Sequence, residues 1–226
     1  MSYLKDALKK AANIDLFNSE NGLKIGDETN NTEFNADGTQ RLKGTATAWR
    51  DMIGDLFGKR LSSTSGKIDY DYDNNALKFQ SGGSISDEAD RVGANLEINH
   101  DLKVGSSITF KPHIHWFQDW ASDSVTAFEL TMRYRLQKNN EAMTTAWTSE
   151  TLTAGVNDLY DFTGEGDDTY NQLSTFPDIT LDCNLSDTLQ IQLARTDTEI
   201  GDMLVYFIDV HAEVDSFGSD SEYVKS

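Results

Sequence analysis

From residue 66 onward, apolar and polar residues alternate with a period of two, a pattern that constrains the chain almost entirely to antiparallel strands. Between 125 and 136, Phe128, Leu130, Met132, Tyr134 and Leu136 fall on one side, while Thr131, Arg133 and Arg135 fall on the other. Leu189, Ile191 and Leu193 repeat the pattern, as do Ile108, Phe110, Ile114 and Trp116. Over 203–214, Leu204, Tyr206, Ile208, Val210, Ala212 and Val214 are expected on a single apolar face. Successive strand side chains point to opposite faces, so such a run is a strand with one face buried and one solvated. Gly82-Gly83, Asp123-Ser124 and Asn139-Asn140 supply turn chemistry between runs. No helical period intervenes, which predicts a mainly β protein with an antiparallel β-sandwich, jelly-roll-like head over 66–226.

The front of the chain reads differently. Over 3–12, Leu4, Leu8 and Ala11-Ala12 share one helical face, with lysines opposite. A helix this short is marginal alone and must dock on something. Ile14, Leu16 and Phe17 extend the apolar signal, so 1–17 is expected to be an N-terminal helical anchor that oligomerises or grips a larger assembly. Residues 18–65 are polar and Gly-punctuated. Short strands at Leu23–Ile25, Thr32–Phe34 and Gln40–Leu42 are expected between turns at Gly26-Asp27 and Asp37-Gly38. One copy of this segment carries little apolar surface, so it reads as an extended β stalk that pairs across chains. WRDMIGDLF, 49–57, fits either a helical turn or a strand–loop joint.

Charge and cysteine usage remove several functions. Asp plus Glu is 38 against 19 Lys plus Arg, a net of −19. Neutralising a phosphate backbone needs clustered Lys and Arg, so nucleic acid is not an expected partner. The single Cys excludes an intramolecular disulfide framework and a multi-Cys zinc site. No apolar run approaches the roughly 18 residues that span a bilayer, so membrane insertion is not expected. MSYLKDALKKAANID has no long apolar core behind its lysines and does not read as a secretory signal. Gly164-Glu165-Gly166-Asp167-Asp168 has calcium-loop composition but not EF-hand spacing.

Chemistry is sparse. His113 and His115 are two apart on a strand and share a face; His211 lies on another strand. Should those strands be neighbours, the three imidazoles could bind one divalent metal, as in a cupin. The spacing from Gly105 to His113 departs from the cupin pattern, Asp119 stands where a Glu is wanted, and the second cupin motif is missing. The favoured expectation is therefore stacked or hydrogen-bonded histidines with no metal and no cofactor. There is no Gly-x-Ser-x-Gly elbow, Cys183 reads as a strand-interior residue, and no carboxylate pair stands out, so no catalytic residue is assigned. Trp116, Trp120, Trp147, Tyr160 and Tyr170 are candidate sugar platforms, though each residue type also fills cores.

Three stretches together carry a resemblance. GDETNNTEFNADGTQRLKGTATAW (26–49) resembles the Gly-Asp-x-Thr-Asn…Asp-Gly-Thr…Ala-Thr-x-Trp opening of a widespread group of tailed-bacteriophage structural proteins. NHDLKVGSSITFKPHIHW (99–116) is similar to that group's His-x-x-Lys-x-Gly…Pro-His-x-His-Trp strand pair. IDVHAEVDSFGSDSEYVK (208–225) is similar to its Asp-x-His…Asp-x-x-Gly-Ser…Lys ending. The order and approximate spacing agree over about residues 23–226. This chain departs from the group at Asn99, where a Pro often precedes the His, and lacks a Pro-containing stretch after Asp51.

The resemblance implies a protein of the virion, assembled in the host cytoplasm, and not an enzyme. The implied role is a fibre or spike on tail, collar or capsid, or a capsid decoration protein. Anchor, stalk and head in that order suit a fibre, and a thin stalk buries its apolar positions by trimer formation, so a homotrimer is expected. Its partners would be other virion proteins and, through the head, a host-surface glycan. A cupin-like metalloprotein is the reading from a different class.

Overall fold

The computed structural model describes residues 14–18, 22–35, 40–44, 48–54, 56, 66–99, 101–119, 127–155, 172–198, 201–214 and 216–217. Leu4, Leu8 and the helix expected over 3–12 lie outside the described residues, as do Trp120, Tyr160, Tyr170, the turns at Asp37-Gly38 and Asp123-Ser124, and the loop 164–168.

Two sheets make the body. Strands β8 (Val92–Glu97), β10 (Ala127–Gln137), β11 (Thr148–Gly155) and β14 (Thr188–Arg195) form one sheet in the order β11-β10-β14-β8. The other runs β12-β9-β15-β7-β6, built from β6 (Ile68–Asp71), β7 (Ala76–Phe79), β9 (Gly105–Asp119), β12 (Gln172–Thr175) and β15 (Asp202–Val214). Two further strands join it: β13 (Ile179–Cys183) pairs with β9, and β5 (Ala48–Gly54) pairs with β15. Two positions in this sheet are thus each shared by two short strands lying end to end. On β9, β13 takes 105–110 and β12 takes 113–116. On β15, β7 takes 203–205 and β5 takes 208–214.

The winding follows from these pairings. From β8 onward the chain alternates between sheets: first, second, first twice (β10, β11), second twice (β12, β13), first, second. That is a jelly roll, in which every crossing leaves one apolar face of each strand against the opposite sheet. The alternations read from the sequence fill the interior. Phe128, Leu130, Met132, Leu189, Ile191, Leu193, Ile108, Phe110 and Ile114 are buried. Trp116 is also fully buried, its ring edge-on to Phe128 at 5.3 Å, and its indole N–H donates to Ser174 Oγ at 3.0 Å. It is a core residue and not a sugar platform.

β15 does not keep one apolar face throughout. Its register on β9 passes from Val205–Trp116 to Phe207–His115, leaving Tyr206 as an extra residue. This bulge inverts the alternation. Before it, Met203 and Val205 enter the core and Leu204 packs on the outer face with Ala76 and Phe117. After it, Ile208, Val210, Ala212 and Val214 face in. Tyr206 leaves the core and lies against Phe117, ring centroids 5.1 Å apart.

The front segment forms a separate small sheet. β1 (Ile14–Asn18), β2 (Gly22–Gly26), β3 (Asn31–Phe34), β4 (Gln40–Lys43) and β16 (Ser216–Phe217) line up in the order β1-β2-β3-β4-β16. The three expected short strands are present. Ile14, Leu16 and Phe17 lie in a strand rather than in the continuation of a helix. The strands of this segment pair with one another and with β16 inside the chain. The β2–β3 turn closes through Asp27, whose Oδ1 accepts from Thr29 N, Thr29 Oγ1 and Asn30 N at 2.8, 2.8 and 2.6 Å. Gly26 before it has φ 120°, a backbone conformation that a side chain would strain. Leu42 joins the main core, while Ile25 and Phe34 each stay 40% exposed. β5, placed by sequence in the 18–65 stalk, is a strand of the head, so the boundary falls earlier than residue 65.

Candidate functional site

The outer face of the larger sheet gathers the residues of most chemical interest. β9, β15 and β5 are neighbours, with β15 between the other two. Strand alternation sends Phe110, Pro112 and Ile114 inward and leaves His113 and His115 outward. Beyond the bulge, Asp209 and His211 are outward for the same reason. Asp209 lies directly opposite His113, and His211 lies opposite both Lys111 and Asp51.

His113, Asp209 and His211 therefore converge. A potential donor atom from each lies within 4.8 Å of the other two. His113 Nε2 is 3.4 Å from Asp209 Oδ2, and both side chains are deeply buried although they sit on the outer face. The His113 ring packs edge-on against His211, centroids 4.5 Å apart. Burial pushes the His113 imidazole below its ordinary range; the Asp209 carboxylate opposes this, and His211 and His115 add to it. His211 is 40% exposed at its side chain and holds Asp51 Oδ1 at 2.9 Å through Nε2. One end of the cluster is thus enclosed and the other meets solvent.

His115 goes elsewhere. Its ring is 5.3 Å from that of His113 but packs on Phe207 at 4.7 Å, and it does not share in the converging donor set. The structure therefore brings together two of the three histidines singled out from sequence and replaces the third with Asp209. Asp209 was legible: Asp209-x-His211 on a strand places both side chains on one face. Asp51 was not, because its role depends on β5 pairing with β15.

Around the cluster the face mixes apolar side chains with ion pairs such as Lys78–Asp202 and Lys103–Glu213. Trp49, Ile53 and Tyr206 are exposed, Phe117 and Leu204 are buried, and Lys111 Nζ lies 4.5 Å over the Trp49 ring. Among the proposed sugar platforms, Trp147 is half-buried on the opposite sheet. The guanidiniums of Arg133 and Arg135 stack on its ring at 4.7 and 4.3 Å, occupying ring surface that a sugar would need.

No protein-family model and no curated protein matches this sequence. Among solved structures, the chain is similar to a carbohydrate-binding module, CBM28, specific for non-crystalline cellulose. Identity is 14%, the TM-score is 0.31, and the match covers 72% of this chain and 84% of that one.

Proposed function

We propose that this chain is a structural protein of a tailed-phage virion: a trimeric fibre or spike, its jelly-roll head outward and its front section docked on tail, collar or capsid. The observation that carries the reading is where the three resembling stretches lie. The Ala-Thr-x-Trp end of the first enters β5, the Pro-His-x-His-Trp of the second runs along β9, and the Asp-x-His of the third sits in β15. These stretches are far apart in sequence, yet β5, β15 and β9 are adjacent strands. The second and third stretches thus lie on paired strands, and the first, after running through β3 and β4, meets them at Ala48-Trp49.

The small sheet supports the trimer. Its strands pair with one another and with β16, and Ile25 and Phe34 are each 40% exposed on a thin layer. Docking that layer on equivalent copies removes this apolar area from water. The proposed role is mechanical. A decoration protein is the alternative, and copy number separates the two.

Native mass spectrometry of the full chain is expected to show a trimer, and a stable monomer would overturn the fibre reading. Virions whose genome encodes the chain should carry it at low copy number in multiples of three. A copy number matching the capsid lattice would transfer the protein to the decoration class, and absence from the particle would end the virion proposal.

A further inference from the structure

We propose that His113, Asp209 and His211 bind a divalent first-row transition-metal ion on the outer face of the jelly roll, with Asp51 orienting His211 from behind. Three observations lead there, none of which depends on the virion reading.

The first is the donor set. Two imidazoles and one carboxylate suit zinc, manganese, iron(II), cobalt or nickel, and not calcium or magnesium, which prefer oxygen alone. They come from two adjacent strands at the centre of a sheet, so the backbone holds them rigidly. Bonds of about 2.0–2.2 Å place neighbouring donors about 3–3.5 Å apart; the 3.4 Å His113–Asp209 edge already fits, and an edge at the 4.8 Å limit must close by about 1.3–1.8 Å. The half-exposed His211 has room to make that movement.

The second is an unanswered oxygen. Asp209 is only 4% exposed, and its Oδ1 has no hydrogen-bond partner among the described residues. A buried carboxylate oxygen without donor or cation is costly, by several kcal/mol in general. Natural proteins rarely leave one so unless something else satisfies it.

The third is how His113 and Asp209 face each other. His113 Nε2 points at the Asp209 carboxylate from 3.4 Å, beyond the length of an ordinary charge-assisted hydrogen bond. A cation between the two would take a lone pair from the imidazole and an oxygen from the carboxylate. Asp51, 2.9 Å from His211 Nε2, completes the pairing in which an outer carboxylate holds a metal-bound imidazole. His115 has no part in the set.

The test uses the full chain stripped with a chelator and then titrated with Zn²⁺ in competition with a chromophoric chelator. One Zn²⁺ per chain is expected. His211→Gln, at an exposed position where folding should survive, is expected to weaken binding at least about tenfold. Asp209→Asn is expected to do the same, and His115→Gln should leave affinity within about twofold of the parent. Co²⁺ should give visible absorption bands in the parent and lose them in His211→Gln. No saturable zinc binding by the parent would overturn the proposal. So would unchanged affinity in His211→Gln, or a loss in His115→Gln equal to that in His211→Gln.

Discussion

Replacing Arg195 with methionine should remove a large part of the head's stability. Arg195 ends β14 with a side chain 0% exposed. Its Nε donates to both Asp197 carboxylate oxygens at 3.1 and 2.9 Å, and Nη2 donates to Oδ1 at 2.7 Å. Nη1 donates to the carbonyls of Phe79 and Gly201 at 3.2 and 2.5 Å, and the guanidinium lies 4.3 Å over the Phe128 ring. Through these bonds it ties β14 to β7 and to the entry of β15, joining the two sheets at one end. Methionine restores much of the stem's packing but supplies no donor. Asp197, 11% exposed, would keep the Glu129 amide at 2.8 Å and lose its counter-charge, and two carbonyls would lose this donor. Removing one member of a buried ion pair costs about 3–5 kcal/mol. At about 2–4 °C per kcal/mol for a chain of this size, the midpoint should fall by about 6–20 °C. Urea unfolding followed by tryptophan fluorescence measures the loss directly, and an unchanged m-value confirms that the native state is intact. Adding Asp197→Asn to the variant should recover about 1 kcal/mol or more, since the stranded charge is then gone. A loss below about 1 kcal/mol, the worth of an exposed pair, would refute the reasoning, as would strict additivity with Asp197→Asn.

Other expectations follow from single sites. Cys183 is buried, and burial followed by the Asp187 charge pushes its thiol up to about 11, so Ellman's reagent at pH 8 should label it only after unfolding; rapid stoichiometric labelling of the folded chain would count against this. A Cβ at Gly54 would meet Ala94 Cβ at 2.9 Å and Ile208 Cγ2 at 3.1 Å, where β5 nears β8, so Gly54→Ala should destabilise by about 1–3 kcal/mol in the same urea assay. Equal stability would show that the sheets can part there at no cost. The Asn30 amide, with Thr29, holds the Asp27 carboxyl at about 2, below its ordinary 3.8. Its folded value is the lower one, so its contribution to the β2–β3 turn is complete above the ordinary value and vanishes as pH falls through about 2. A carboxyl carbon NMR titration with a midpoint near 4 would disprove the turn's hydrogen bonding.

The strands were legible where one face alone meets the core, because burial then imposes a strict period of two on side-chain polarity. Phe128 to Met132 on β10 and Leu189 to Leu193 on β14 are of this kind. The period fails where the backbone adds a residue, and nothing in the side chains of Leu204-Val205-Tyr206-Phe207 marks Tyr206 as the extra one, since all four are apolar or aromatic. β5 was harder still. Its sequence fits a helical turn as well as a strand–loop joint, and only pairing with β15 turns Met52 into the core. Trp116 shows the same limit for sites: its residue type permits surface or core, and its partners Phe128 and Ser174 come from two other strands, Ser174 58 residues along the chain. Asp209 shares a face with His211 by strand spacing alone, but that it meets His113 depends on the register of β15 on β9.

The two outer faces of the sandwich differ in chemistry, and the difference bears on which one faces a partner. On the four-stranded sheet, Arg133 Nε donates to Gln192 and Arg135 Nε to Gln190, both at 2.7 Å, and Gln190 reaches Asn95 at 3.1 Å. Such a ladder of long polar side chains pairs with itself across three strands. The larger sheet differs. It exposes Trp49, Ile53 and Tyr206, and it buries His113 and Asp209 with one Asp209 oxygen unanswered among the described residues. Exposed aromatics around a buried donor set mark a surface whose free energy falls when something binds there.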